Sequence, residues 1–450
     1  MGPRKVAIVG MGGQFPNCKD LDEFRSRLFG NEVLIREWAE LQKFGKQVRS
    51  KVSGFITEDE SDLDVQWSSR MEGYPETYVD RRGEIPERFM STADLGSIWA
   101  MRGSLDSIRM AGWQDNEVRN PMTGVVIGSG AGGHSILRPA WHGFFQQGYK
   151  TRVLGSHNVD RAMVYRDAAN VSCLIGSQGV CESIGSACAC GLGNIGYAYR
   201  LIAFGLQDRV LAGGTEGTSI ETFIGFDAMQ VLSRRFGPTD SSRPFDRNRD
   251  GFVCSFGCGI VALEAYDQAV ARGAEILAVI DGYFNNSDGD GDMFAPSFDG
   301  QSRLWKGLRQ TSDVPVKPDV VKVHGTSTPS GDTMELLSVV QAMGTDGYHI
   351  AAPKSQFGHF LGAAGAIEVI VSILMLQEQK VSPCLNAHDL KDEPEEYQAA
   401  DSWQGPKGSI ADYRHLIPTE SFSKTISQVV NLNYGFGGTN SAIALSLPTK

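Results

Sequence analysis

Residues 188–207, CACGLGNIGYAYRLIAFGLQ, and residues 359–377, HFLGAAGAIEVIVSILMLQ, have the pattern of two versions of one helix. Each opens with glycine and alanine, becomes apolar and ends in Leu-Gln, and Cys188 and His359 stand at the two starts. A repeat of this kind indicates a duplicated architecture. We therefore expect two like halves, 1–265 and 266–450, related by a pseudo-twofold axis that brings Cys188 and His359 close together.

Strand-like and helix-like stretches alternate along the rest of the chain. The predicted strands include VAIVG (6–10), TGVVIGSG (123–130), DRVLAGG (208–214), EILAVIDGYF (275–284) and DVVKVHG (319–325). The stretches that start at Gly251 and Gly435 also match each other, because each has the pattern of a glycine turn followed by a buried strand. This alternation predicts an α/β fold.

Composition limits the classes of function. A formal net charge of -11 argues against a nucleic-acid binder, which usually carries a basic face. The N-terminus lacks a cleavable signal pattern, and apolar runs such as VIVSILML (369–376) fall short of the roughly 18 residues that span a bilayer. The eight cysteines are irregularly spaced and do not form a disulfide framework. We expect a cytoplasmic protein of two or three domain-sized units.

Cys188 is the candidate nucleophile. It lies where an apolar segment gives way to a helix start, and unpaired backbone N–H groups at a helix start favour a thiolate and lower a cysteine pKa. The alternative is a small buried hydrophobe, which is the usual role of a free cysteine.

Two histidines and a glycine-rich turn favour the catalytic interpretation. His324 follows the strand DVVKV, at the edge where α/β folds bind ligands, and His359 lies in the glycine-flanked segment KSQFGHFLGAAGA. Either could be a structural histidine when taken alone. The segment NYGFGGTN surrounds Phe436 with glycines that let backbone N–H groups turn toward an oxyanion, although an ordinary hairpin turn has the same composition.

Five segments in this order and spacing resemble the β-ketoacyl-ACP synthases: GSACAC, RPFDRNRDGFV, HGTSTPSGD, KSQFGHFLGAAGA and NYGFGGTN. The resemblance covers nearly the whole chain. It implies the thiolase fold, a five-layered αβαβα arrangement of two pseudo-symmetric halves, which agrees with the internal repeat.

The resemblance also implies a role for each matching residue. Cys188 would accept an acyl chain from a carrier-protein thioester, and His324 and His359 would stabilise the enolate formed when malonyl loses CO₂. The backbone N–H groups of Cys188 and Phe436 would form the oxyanion hole, with the Phe436 ring as the gate for malonyl. The remaining matches are supporting charges at Lys354 and Glu335 and pantetheine-binding hydroxyls at Thr326 and Thr328. No metal and no organic cofactor is implied, since phosphopantetheine of an acyl carrier protein carries the substrates.

The expected activity is that of a β-ketoacyl-ACP synthase in fatty-acid elongation. The alternative is a type II polyketide or polyene ketosynthase that works beside a chain-length-factor partner. Retention of Cys188 argues against a non-catalytic partner subunit, and the lack of a late cysteine beyond Cys384 argues against a thiolase.

Expected partners are an acyl carrier protein, docked on Arg81, Arg82 and Arg88, and a second copy of the chain in a homodimer. No nucleic-acid or membrane partner is expected.

Several features depart from the family or match unrelated motifs. Phe256 replaces a glutamate and Phe360 replaces Ser or Thr, which would alter the pocket or the packing behind Phe436. Cys190 stands where relatives have a small hydroxyl, and a CxC metal site there lacks a nearby histidine. Gly128, Gly130 and Gly133 satisfy GxGxxG without the acidic residue of a dinucleotide site, and DGDGD from Asp288 lacks the glycine of an EF-hand loop, since Met293 stands there.

Overall fold

The centre of the protein is built from two groups of five strands that share one pairing pattern. The computed structural model describes residues 2–54, 78, 85–131, 133–290, 292–390, 405–406 and 410–448. The first group has the order β1 (Val6–Gln14), β7 (Gly257–Ala265), β6 (Arg209–Glu216), β4 (Thr123–Gly128) and β5 (Cys181–Glu182). The second has the order β8 (Ala278–Ser287), β14 (Thr439–Ser446), β13 (Gln428–Gly435), β9 (Val320–Lys322) and β10 (His349–Ala351).

In both groups the first two pairings are antiparallel and the last two are parallel. β1 also pairs with β8 over three residues, so one hydrogen-bonded ladder joins the groups. Two small sheets lie outside it, β2 (Arg36–Glu37) with β3 (Val52–Ser53) and β11 (Lys380–Val381) with β12 (Phe422–Ser423). The alternating α/β pattern expected from the sequence is confirmed.

The helices of the described residues are α1 (Leu21–Phe29), α2 (Glu87–Met90), α3 (Leu95–Ala111), α4 (Asp115–Val118), α5 (His134–Gln146), α6 (Arg166–Ile175), α7 (Cys190–Ala203), α8 (Ile220–Ala228), α9 (Tyr266–Ala271), α10 (Phe298–Thr311), α11 (Pro329–Met343), α12 (Lys354–Phe357) and α13 (Ala364–Glu378). Single 3₁₀ turns precede α7 at Ala187–Ala189 and α13 at Leu361–Ala363. Further 3₁₀ segments are Ala39–Gln47, Thr151–Leu154, Asp160–Ala162 and Ile410–Leu416.

Three buried clusters separate the layers. α3 and α6 pack on the outer face of the first strand group, α7 and α13 fill the space between the groups, and α10 and α11 pack on the outer face of the second. Successive strand residues point to opposite faces, so Val125 joins the outer cluster while Val126 joins the central one. The result is the sequence of layers αβαβα.

The central helix α13 is apolar over most of its surface, with Glu368 as its buried charge. The stretch Leu361–Glu378 is long and apolar enough to cross a membrane by length and composition, but 89% of it is buried inside the protein. A helix that packs between two sheets has no solvent face, and this requirement explains its composition.

The internal repeat is real, but its sequence alignment is shifted by about one helical turn. Ala187 and Leu361 are the first residues of the two 3₁₀ turns, and both have positive φ, 46° and 50°. Cys188 therefore corresponds to Gly362, and His359 lies before its turn rather than at a helix start. The expectation that Cys188 and His359 occupy equivalent places is wrong, because helices rich in Gly and Ala look alike after a shift of one turn.

Candidate active site

One cavity of about 690 Å³ brings together most of the residues predicted from the sequence. Its walls include Cys188, His324, Thr326, Thr328, Glu335, His359 and Phe436. These residues come from both halves of the chain. Lys354 lies behind this wall, against His324.

Cys188 is presented by a strained turn. Ala187, with its positive φ, turns the chain so that Cys188 sits ahead of α7 in a 3₁₀ turn. The end of β13 approaches this turn closely, since a Cβ on Gly435 would lie 2.6 Å from the Ser186 carbonyl oxygen and 3.1 Å from the Cys188 nitrogen. Thr439 Oγ1 donates to the same carbonyl at 3.1 Å. The end of β13 and the start of β14 therefore hold the turn that carries the nucleophile.

The environment of Cys188 differs from the expectation for a helix start. Burial and the neighbouring Glu216 carboxylate raise the pKa of Cys188 to about 12, although Lys354 and the backbone N–H groups of Cys188 and Phe436 lower it. Desolvation of the thiol thus outweighs the effect of the helix start, and the prediction of a lowered pKa is wrong. The N–H groups that lower this pKa are the pair predicted to form the oxyanion hole.

His324 has a defined tautomer. The amide nitrogen of Asn433 donates to the Glu368 carboxylate at 2.8 Å, which fixes the amide orientation, and it lies 3.3 Å from His324 Nδ1. Lys354 Nζ, also a donor, lies 3.4 Å from Nδ1. Nδ1 must accept, so Nε2 carries the proton and is a donor. Glu335 accepts from the backbone N–H groups of His324 and Gly325 at 2.6 and 2.7 Å and holds the segment after β9.

His359 is held by its backbone. Its N–H donates to the Val253 carbonyl at 2.7 Å, and its carbonyl accepts from Ser255 at 2.8 Å. Its ring contacts Phe252 at 5.3 Å between centroids and meets the His324 ring edge to face at 5.0 Å. Burial and the Lys354 and Lys322 charges hold the pKa of both imidazoles well below the usual value, so both rings are neutral.

A buried charged network supports the histidines, and sequence reasoning found only part of it. Glu368 on α13 forms ion pairs with Lys354 and with Lys322 on β9. Burial lowers the pKa of Lys322 to about 7 and raises the pKa of Glu335 to about 7. Sequence reasoning missed Lys322, Glu368 and Asn433. The available signal was a single charge in an apolar strand, DVVKV, and another in an apolar helix, AIEVIV.

The rim of the cavity carries the other predicted groups. The Phe436 ring lies 6.5 Å from Phe226 and 5.3 Å from Phe294, within an aromatic cluster at the entrance. The hydroxyls of Thr326 and Thr328 are 3.0 Å apart. Both threonines line the same cavity as Phe436.

The two phenylalanine departures lie away from the cavity. Phe256 is buried in the outer cluster of the first strand group, with its ring 5.8 Å from Trp38. Phe360 packs in the central cluster against Phe357 at 5.1 Å. Neither residue is among those that line the cavity.

The remaining predicted features have other placements. Cys190 is fully buried, and its sulfur lies 3.2 Å from the Ile184 carbonyl oxygen. Within the described residues, no group of three or more His, Cys, Asp or Glu side chains could hold a metal ion. Arg81 and Arg82 lie outside the described residues, while Arg88 is exposed on α2 with its guanidinium 5.0 Å from the Phe89 ring.

Comparison with known proteins agrees with this geometry. The family model for the N-terminal domain of beta-ketoacyl synthase matches residues 3–269, and that for the C-terminal domain matches residues 277–388. The 3-oxoacyl-[acyl-carrier-protein] synthase 1 of Haemophilus influenzae is 36% identical over 372 residues, covering 82% of this chain and 85% of that protein. The synthase 2 of Vibrio harveyi is 30% identical and covers 98% of both chains.

A solved structure extends the likeness to the fold. A beta-ketoacyl synthase from Burkholderia phymatum superimposes with a TM-score of 0.82 at 27% identity, over 99% of this chain and all of that one. The thiolase fold is thereby confirmed, and the class is that of the acyl-transferring condensing enzymes. Within this class, the chain belongs to the β-ketoacyl synthase family.

Proposed function

We propose that the protein condenses an acyl chain held on Cys188 with a malonyl group carried by an acyl carrier protein, in fatty-acid elongation. The main support is that Cys188 and the neutral His324 and His359 line one cavity, with Nε2 of His324 free to donate. The names of the Haemophilus and Vibrio relatives indicate the same carrier and product.

In the first half-reaction the Cys188 sulfur attacks the carbonyl carbon of an acyl thioester. The bond to the pantetheine sulfur breaks, and that sulfur leaves with a proton as the free carrier thiol. The proton comes from Cys188, whose raised pKa requires a relay, and His359 has one unprotonated ring nitrogen that can carry it. The N–H groups of Cys188 and Phe436 stabilise the oxyanion.

In the second half-reaction malonyl loses CO₂, and the electrons of the broken C–C bond form an enolate. Nε2–H of His324 and an N–H of His359 donate to the enolate oxygen. The enolate carbon attacks the acyl carbonyl on Cys188 and expels the Cys188 sulfur as a thiolate, which takes up one proton from solvent and returns to the thiol. Loss of CO₂ drives the step, so we propose no metal and no organic cofactor.

The substrate arm enters beside Phe436. We assign Thr326 and Thr328 to the phosphopantetheine, because their hydroxyls are 3.0 Å apart and both residues line the cavity that holds Cys188 and His324. Lys354 and Glu335 position the histidine segment. Arg88 and the neighbouring Arg81 and Arg82 remain our proposal for carrier docking. We place the reaction in the cytoplasm.

We further propose that the chain divides into halves 1–265 and 266–450 and works as a homodimer. The repeated pairing pattern supports the division, since β7 ends at Ala265 and β8 begins the second group. Two exposed features support the dimer. Among the strands of the described residues β5 ends the large sheet with an unpaired edge, and α5 with the following turn exposes an aromatic surface formed by Trp141, Phe144, Phe145 and Tyr149.

A condensation assay tests the proposal. Purified protein, an acyl-loaded carrier and a malonyl-loaded carrier should yield a carrier-bound β-ketoacyl product two carbons longer, observed by mass spectrometry. Cys188→Ala should abolish the product, and His324→Ala should reduce it by at least about 100-fold. Product formation by Cys188→Ala at the wild-type rate would contradict the proposal.

A further inference from the structure

A buried glutamate outside the cavity wall links the two halves of the protein. Glu216 is the last residue of β6 and is 1% exposed. Its Oε2 accepts from the backbone N–H of Gly130 at 2.8 Å and of Gly362 at 3.0 Å, and its Oε1 accepts from Ala131 at 3.2 Å. Gly130 and Ala131 belong to the first half and Gly362 to the second, so one carboxylate joins loops from both.

The backbones at this junction are in close contact. A Cβ on Gly362 would lie 2.1 Å from the Gly130 nitrogen and 2.9 Å from Glu216 Oε2. A Cβ on Gly191, in the first turn of α7, would lie 2.9 Å from the Gly362 carbonyl oxygen. The loop after β4, the start of α7 and the turn before α13 therefore meet directly beside the Glu216 carboxylate.

This junction is close in sequence to both reacting groups. Gly362 is three residues after His359, and Gly191 is three residues after Cys188. One glycine of the GxGxxG match, Gly130, is also explained, because its N–H and that of Ala131 donate to Glu216.

We propose that Glu216 is a positioning residue that clamps the His359 turn against the Cys188 helix, and that its negative charge, held beside that helix, also lowers the reactivity of the Cys188 thiol. The clamp needs a carboxylate, since three N–H groups point at two oxygens and the NH₂ of an amide would face a donor. This inference rests on the proposed condensation for its catalytic part.

Charges around the junction set the direction of the electrostatic effect. Glu216 interacts electrostatically with Asp167 on α6 and with the thiols of Cys188, Cys190 and Cys254, while the Lys354 charge has the opposite effect on Cys188. Burial and Asp167 raise the pKa of Glu216 to about 7, and the three N–H groups oppose this shift. Removal of the Glu216 charge should lower the pKa of Cys188, because Glu216 raises it.

The test measures the condensation rate and the alkylation rate of Cys188, and the proposal predicts that Glu216→Gln changes them in opposite directions. Glu216→Gln should reduce the condensation rate by about 10- to 100-fold, with the KM for the acyl carrier changed less than about 2-fold. The same variant should raise the rate of iodoacetamide alkylation of Cys188 at pH 8 several-fold, measured on the Cys188 peptide by mass spectrometry. A merely structural defect would not increase thiol reactivity while the fold is retained.

Two further variants complete the test. Glu264→Gln removes a buried carboxylate from β7 that binds Arg272 and Arg209 at the far end of the β6–β7 ladder, and it should leave both rates within about 2-fold of wild type. Glu216→Asp keeps the negative charge but shortens the side chain, so it should slow condensation without increasing the alkylation rate of Cys188. If Glu216→Gln does not fold, Glu216→Asp still tests the clamp.

The inference is overturned if Glu216→Asp or a folded Glu216→Gln condenses within about 2-fold of wild type, or if Glu216→Gln alkylates no faster than Glu264→Gln. Failure of the wild type to condense would instead refute the proposed function. In that case the alkylation rates still test the effect of the Glu216 charge.

Discussion

The tautomer of His324 decides whether this ring can donate a hydrogen bond to an enolate in the cavity. His324 presents Nε2–H only because Asn433 and Lys354 both approach Nδ1 as donors. The same amide binds Glu368, so the ion pairs of Glu368 with the two lysines control the orientation of Asn433. A network that touches no substrate therefore sets the hydrogen-bonding capacity of the site.

Asn433→Ala tests this dependence. Loss of one donor lets His324 adopt the other tautomer, and we expect malonyl decarboxylation to fall about 10-fold while acyl loading of Cys188 changes little. Both can be followed by mass spectrometry of the carrier and the enzyme. Asn431→Ala, on the same face of β13 two residues earlier, is the matched control. An equal loss of malonyl decarboxylation in Asn433→Ala and Asn431→Ala would contradict this prediction, because it would show a general effect of altering β13.

The buried thiol makes a prediction about pH. With a pKa of about 12, the thiolate fraction of Cys188 rises with pH, so its alkylation rate should increase about 10-fold per unit from pH 7 to pH 10. Free cysteine, with a pKa of about 8.5, should level off within this range. A plateau in the alkylation rate of Cys188 below pH 9 would contradict this prediction, because it would show a thiol that is activated by its surroundings.

The sequence was informative about single residues where the chemistry demands a distinctive type. Cys188, His324, His359 and Phe436 were identified by residue type and by the glycines beside them. Lys322 and Glu368 were not identified. The role of a buried charge inside an apolar strand or helix depends on the charged partner that packs against it, and the sequence does not show that partner. Burial is also a tertiary property, which is why the pKa of Cys188 was predicted in the wrong direction.

At the scale of elements, two helices that cross at close range carry the duplication. A Cβ on Gly365 of α13 would lie 2.6 Å from the Leu192 nitrogen of α7. The small residues that allow this approach also made the sequence repeat visible. The small residues could not show which position of α7 corresponds to which position of α13. That correspondence is set by the positive-φ residue in the turn before each helix.

Gly365→Val should therefore separate α7 from α13. We expect a loss of about 3 kcal/mol or more in the free energy of unfolding, measured by urea denaturation, because the added side chain meets backbone. Gly225→Ala on α8, where a Cβ would meet nothing within 4 Å, should be neutral or stabilising by up to about 1 kcal/mol. Similar stability of the Gly365→Val and Gly225→Ala proteins would mean that the helices do not depend on this close approach.

At the scale of the whole molecule, the two-half architecture followed from the repeat, whereas the exposed surfaces did not. The spacing of the aromatic residues in the sequence of α5 does not tell whether their side chains are exposed or buried. Only the structure shows Phe145 to be 60% exposed, with its ring near Phe144 and Tyr149.

Phe145→Asp tests the assembly. A charge in the centre of this surface should convert a protein of two chains into single chains at micromolar concentration, observed as a halved mass by light scattering. Phe204→Asp, at a residue 70% exposed at the end of α7, is the control and should leave the mass unchanged. A Phe145→Asp protein that keeps the wild-type mass would contradict the proposed dimer surface.

The central claim is that Cys188 holds an acyl chain as a thioester. The most direct measurement is the intact mass of the protein after incubation with a set of acyl-loaded carrier proteins, followed by peptide mapping. We predict a mass increase of one acyl group, located on Cys188, removed by hydroxylamine and absent in Cys188→Ala. Acylation of any other residue, or an unchanged mass with every acyl carrier tested, would contradict the account.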